Sequence, residues 1–266
     1  MNAYQVINDL TNTLSKNTLI KGFVLVGSQV RKTVYKASKH SDMEAYIIVD
    51  YEDFGKIEKQ MPSLVESLGN VIFSYKNQWS GFSTVFDDLF RLELPVVKLS
   101  EINSVFSRPR SQVVEVLIDR TNGILQSALD KRPQKLDVEK LFQEKVVDFW
   151  YMLILGFQYY KKGEIWNARS VLQILQTSLI KLFEILNNSE ALLLESNKRV
   201  EQFLKPDQIK LLKEVSPSYD EREIKESLKR IAQVFSEISG QIEKEYHFTY
   251  NKEVEEKIKS KIMLKL

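Results

Sequence analysis

Apolar spacing changes character once along the chain, and that change limits the fold more than any other feature. Ahead of Lys131 the sequence carries short β-branched and aromatic runs set between turn signals; beyond it, apolar residues recur at three and four positions with no strand-like run. The first pattern predicts strands at Phe23–Val26, Glu44–Val49, Val71–Tyr75, Ser83–Phe86, about Leu89–Val97 and Val114–Ile118, with helix before the first strand and over Lys56–Leu68. The second predicts amphipathic helices. Ala168, Val171, Leu172, Leu175, Leu179, Leu182, Phe183 and Leu186 form one stripe, and Ile224, Leu228, Ile231, Phe235, Ile238 and Ile242 another. Ser218-Tyr219-Asp220-Glu221, in front of the second stripe, has the form of a capping box. Roughly four or five such helices must bury their stripes on one another, which makes a bundle. The polar, proline-containing stretch Lys131-Arg132-Pro133-Gln134-Lys135 parts the two patterns. The expected organisation is therefore α+β, with a sheet domain over 1–132 and a helical domain over 133–266.

Composition removes several kinds of chemistry. The 266 residues include no cysteine and only two histidines, His40 and His247, so thiolate nucleophiles, disulfides and Cys/His zinc sites are excluded or improbable designs. A metal would have to rest mainly on carboxylates. The 38 basic and 36 acidic residues are mixed along the chain for a net charge of +2, without the basic block that nucleic-acid binding needs. The most apolar stretch, Val146 to Phe157, is short for a bilayer and contains Asp148. The N-terminus lacks the basic-then-apolar order of a signal peptide. These features lead to the expectation of a cytoplasmic enzyme with neither a membrane nor a nucleic-acid partner.

The candidate chemistry sits in Val24-Leu25-Val26-Gly27-Ser28 and, after a polar loop, Ser41-Asp42-Met43-Glu44 running into Ala45-Tyr46-Ile47-Ile48-Val49. A strand that ends in Gly-Ser offers backbone N–H groups and a hydroxyl to an anion such as a phosphate, and glycine lets that anion come close. Side chains alternate along a strand, so Asp42 and Glu44 fall on one face. The apolar run after them describes a strand covered on both faces, where carboxylates are costly without a partner. A magnesium ion bound with triphosphate oxygens would be such a partner. Glu93, inside the otherwise apolar run Leu89 to Val97, is exposed, paired with Arg91, or part of the same site; if its strand lies beside that of Glu44, the three carboxylates form a triad.

Gly27-Ser28, Asp42-x-Glu44 and a later Glu93 together resemble the nucleotidyltransferase superfamily that includes DNA polymerase beta and the antibiotic adenylyltransferases. Within it the chain is similar to the larger lincosamide nucleotidyltransferases, and more distantly to the aminoglycoside 6-adenylyltransferases. Lys161-Lys162-Gly163-Glu164 and Ala168-Arg169-Ser170 look like the Lys-x-Gly-Glu and Ala-Arg-Ser elements of that branch. Gln29, where many aminoglycoside enzymes carry arginine, favours the lincosamide side. The resemblance implies a polymerase-beta-like catalytic domain followed by helices, transfer of AMP from ATP or another nucleoside triphosphate to an antibiotic hydroxyl, and a homodimer. Gly27 and Ser28 would hold the terminal phosphates, and Asp42 and Glu44 the magnesium. Glu93 would be the general base or a further metal ligand. Phe149, Trp150, Tyr151, Phe157, Tyr159, Tyr160 and Trp166 offer aromatic surface for a partly apolar lincosamide, although most such residues pack cores. Alternative readings are an aminoglycoside acceptor, which would need a more acidic pocket, or a module of this fold acting on a protein or RNA.

Overall fold

The computed structural model describes residues 2–31, 37–38, 40–76, 81–106, 114–131, 136–189 and 200–266. Its contacts divide the chain into two compact units, Met1–Lys135 and Leu136–Leu266; the expected boundary at 132/133 falls outside the described residues.

The first unit is built on a mixed six-stranded sheet among the described residues, in the order β3-β4-β5-β2-β1-β6. Its strands are β1 (Ile20–Val26), β2 (Met43–Val49), β3 (Val71–Lys76), β4 (Gly81–Phe86), β5 (Arg91–Lys98) and β6 (Val114–Asp119). All six predicted strands form, within a few residues of their expected ends. The alternation of β2 explains its central place. Met43, Ala45, Ile47 and Val49 face one core, closed by α1 (Ala3–Lys16) and α2 (Phe54–Glu66) through Val6, Leu10, Ile57 and Met61. Tyr46 and Ile48 face the other, closed by α3 (Ile102–Phe106) and α4 (Ile124–Asp130) through Ile102, Phe106, Leu125 and Ala128. A strand buried on both sides must be apolar nearly throughout, as the sequence after Glu44 is.

Pairing sets one end of this sheet apart. β1 runs antiparallel to β2, with Val26 opposite Glu44, and β2 runs parallel to β5, with Met43 opposite Leu92 and Glu44 opposite Glu93. The last residue of β1 and the first residues of β2 and β5 therefore share one end of the sheet.

The second unit is helical. α5 (Val138–Lys161), α6 (Ile165–Leu186) and α9 (Glu221–Tyr246) enclose the core, joined by α7 (Val200–Phe203), α8 (Pro206–Glu214) and α10 (Lys252–Met263). Phe149 of α5 and Phe235 of α9 stack with ring centroids 3.5 Å apart. Gly163, at φ 74°, closes α5 with its N–H on the Tyr160 carbonyl, and Ala168 is fully buried. The Lys-x-Gly-Glu and Ala-Arg elements thus form a helix–helix turn and a packing position. Two expectations change here. The cap of α9 is Asp220, two residues after Ser218, and its side chain accepts from the Glu223 N–H at 3.0 Å; the Glu223 carboxylate reaches back past the cap to accept from the Ser218 N–H at 2.9 Å, so the two bonds do not close a reciprocal box. The α6 stripe also widens into burial on all sides from Ser178 to Ile185, enclosing a Lys181–Glu184 ion pair at 2.8 Å.

Candidate active site

The site is assembled where β1, β2 and β5 meet. After Val26 the chain turns through a short 3-10 segment, Gly27–Gln29, with Gly27 at φ 79°. Only glycine adopts this left-handed backbone without strain, and the turn points β1 away from the sheet just at the carboxylate strands. A Cβ on Gly27 would lie 3.7 Å from Glu44 Oε2, so the glutamate carboxylate stands directly beside the glycine. Gln29 ties the turn to β2, its Nε2 donating to the Asp42 carbonyl at 3.3 Å. Ser28 is half-buried in the same turn.

Asp42 is the last residue before β2 and Arg91 the first of β5, and extending the Met43–Leu92 register by one residue sets them side by side. Arg91 Nη2 donates to Asp42 Oδ2, and the same nitrogen lies 3.6 Å from Glu93 Oε1. Glu93 sits two residues further along β5, on the face of Arg91, with Ser83 of β4 opposite it. These groups are half-exposed: 34% for the Asp42 side chain, 37% for Glu93 and 56% for Arg91. β5 is an interior strand, and Glu93 on it keeps its pairing with Arg91.

Gly27, Ser28, Asp42, Glu44 and Glu93 are thereby brought to one end of the sheet, the β2–β5 pairing meeting the condition on which Glu93 would join the other two carboxylates. They do not yet share one coordination sphere: among the described residues no group of three carboxylates or histidines is close enough to hold a metal ion. The donors are hard carboxylate oxygens, with Glu44 and Glu93 in register on adjacent strands, and this chemistry fits magnesium. Arg91 now supplies positive charge to two of them. Its spacing of two from Glu93 was a readable signal for that contact; its hold on Asp42 was not, because strand neighbours cannot be read from spacing. Of the basic side chains between Gln29 and His40, Arg31 pairs with Glu115 of β6, Nε to Oε1 at 3.4 Å, while Lys32, Lys36 and Lys39 lie outside the described residues.

A sheet end that gathers a Gly-Ser turn with paired acidic strands, in an α+β chain with a helical second half, belongs to the nucleotidyltransferase class. The sequence profile described as streptomycin adenylyltransferase matches residues 1–263, and the chain belongs to that family. It is a family of antibiotic-modifying nucleotidyltransferases, which draw on a nucleoside triphosphate and act on a small molecule. Among solved structures, the chain is similar to an aminoglycoside 6-adenyltransferase from Bacillus subtilis, at 14% identity over 97% of this chain and 95% of that one, with a TM-score of 0.46. It is also similar to a nucleotidyltransferase-like protein from Exiguobacterium sibiricum, at 14% identity over 90% of this chain and 77% of that one, with a TM-score of 0.37. Curated proteins give no match. Among the described residues no helix is long and apolar enough to cross a membrane.

Proposed function

We propose that the chain transfers AMP from ATP to a hydroxyl of an antibiotic, with Gly27, Ser28, Asp42, Glu44 and Glu93 as its site. The observation that carries this reading is the register Val26–Glu44–Glu93 across three adjacent strands, which lays two carboxylates beside the glycine turn. Gly27 and Ser28 receive the terminal phosphates through backbone N–H groups and the hydroxyl. Asp42 and Glu44, with Glu93 as a further candidate ligand, hold magnesium, which when bound neutralises charge on the phosphates. The acceptor oxygen bonds to the α-phosphorus, the bond from that phosphorus to the bridging oxygen breaks, pyrophosphate leaves, and Glu93 takes the hydroxyl proton. Positioning and charge neutralisation do most of the work, because the protein forms no covalent bond to the nucleotide.

The first acceptor class is an aminoglycoside, supported by the streptomycin family profile over residues 1–263. The aromatic argument for a lincosamide is narrowed, since Phe149 and Trp150 are buried core residues. Lincosamides remain the second reading through Gln29 and through Trp166, which is 70% exposed and lies against Tyr219 in a tilted pair with ring centroids 4.0 Å apart. Incubation with magnesium, ATP and a panel of both classes, followed by mass measurement, separates them. Streptomycin should gain one adenylyl group and lincomycin none; the reverse pattern selects the lincosamide reading. No nucleotidylated product with any acceptor or triphosphate overturns both.

A further inference from the structure

Arg91 places a fixed positive charge among the oxygens to which the proposed function assigns a divalent cation. One guanidinium nitrogen serves both Asp42 and Glu93, carboxylates that the register of β2 and β5 brings to the same sheet end as Glu44. Three like charges at one end of a sheet repel one another, and a single bridging cation lowers that cost. The bridge is also exposed, with the Arg91 side chain 56% accessible. Exposed ion pairs are weak, so this one can open and close readily. A pair that is both central to the acidic cluster and easily broken suits a temporary counter-charge better than a structural tie. The buried Lys181–Glu184 pair, at 7% and 2% exposure, is of the opposite kind.

We infer that Arg91 is a positioning residue that acts as a resident counter-cation, competing with the divalent metal for Asp42 and so setting how tightly the metal binds. The inference rests on the proposed function, because it requires a metal at Asp42 and Glu44. Two charges of the same sign cannot both be held closely by one carboxylate oxygen without repulsion, so metal binding must draw Asp42 away from the guanidinium. Removing the guanidinium leaves the oxygens open to the metal. The opposite role, a scaffold that preorganises the carboxylates for metal, makes the opposite prediction.

The test is equilibrium binding of Mn2+ to the full-length protein without nucleotide, read by electron paramagnetic resonance of the free ion. Arg91→Gln should bind Mn2+ about 2- to 10-fold more tightly than the parent, the range expected for losing one exposed, partly screened charge. Arg91→Lys keeps the charge and should stay near the parent affinity; circular dichroism checks that both variants are folded. Unchanged or weaker Mn2+ binding in folded Arg91→Gln overturns the inference. Asp42→Asn and Glu44→Gln are measured in parallel. If the parent binds no Mn2+, or both of these variants bind it as the parent does, the metal-site reading itself has failed and the role of Arg91 falls with it. If they lose Mn2+ while Arg91→Gln is unchanged, only the role of Arg91 is wrong.

Discussion

Replacing Gly27 by alanine separates a backbone role from a phosphate-binding role. At φ 79° an L-residue costs about 1–2 kcal/mol, while the stiffer unfolded chain returns about 0.4–1 kcal/mol. The new methyl group would sit 3.7 Å from Glu44 Oε2, an ordinary contact that adds no steric cost. The net loss should be roughly 1 kcal/mol, or about 3 °C in melting temperature for a unit of this size. Gly123 supplies the control, because it has φ 85° and nothing within 4 Å of a built Cβ, and it belongs to the turn before α4. Gly123→Ala should lose the same stability. If the Gly27 turn cradles phosphate, its methyl keeps the anion from the backbone N–H groups, and one charge-assisted hydrogen bond is worth about 1.5–3 kcal/mol. Gly27→Ala should then bind a non-hydrolysable triphosphate roughly 10- to 150-fold more weakly, and Gly123→Ala normally. Calorimetric titration beside thermal denaturation measures both quantities. A Gly27→Ala protein with the expected stability loss but parental triphosphate affinity would refute the phosphate role of the turn.

Glu93→Gln keeps shape and hydrogen bonding, so if Glu93 is the base, turnover should fall about 10²–10⁴-fold with little change in triphosphate affinity; steady-state kinetics paired with calorimetry distinguishes this from a metal-ligand role, in which affinity falls too. Phe149→Ala removes a ring stacked in the helical core and should cost about 3–5 kcal/mol in urea unfolding; a stable variant with a raised acceptor KM would instead return Phe149 to the acceptor pocket. Asp220→Ala should destabilise by about 0.5–2 kcal/mol through loss of the α9 cap. The backbone N–H of Ser218 holds the Glu223 carboxyl below its usual range. Its contribution is therefore present above the unfolded-state pKa and lost as pH falls through the lower folded one. Acid unfolding midpoints of the parent and Glu223→Gln check this, and the variant should show the shallower loss.

Much of the sheet was legible because its signals are local. β2 reads as a doubly covered strand from Ala45 to Val49, and the Gly-Ser turn and the Asp-x-Glu pair are contiguous patterns. What brings Glu93 to Glu44 is not local: β5 inserts between β4 and β2, parallel to β2, and no spacing in the sequence specifies that neighbour. For the same reason Arg91 could be matched with Glu93 but not with Asp42. The helical half misled where one residue type serves two purposes. Phe149 and Trp150 count among aromatics that could line a pocket, though most such residues pack cores, and α9 supplies Phe235 as the core partner of both. Lys181 and Glu184 would ordinarily mark a solvent face, yet they pair inside a helix buried on every side, where each charge depends on the other.

The central claim is that the carboxylates beside the Gly27 turn perform nucleotidyl transfer. Glu44 tests it most directly, since it adjoins both Gly27 and Glu93. Single-turnover release of pyrophosphate from ATP, with magnesium and the best acceptor of the panel, should match adenylylated product one for one in the parent. In folded Glu44→Gln it should slow by about 10²-fold or more. Release at the parental rate in that variant would contradict the account and move the chemistry away from this end of the sheet.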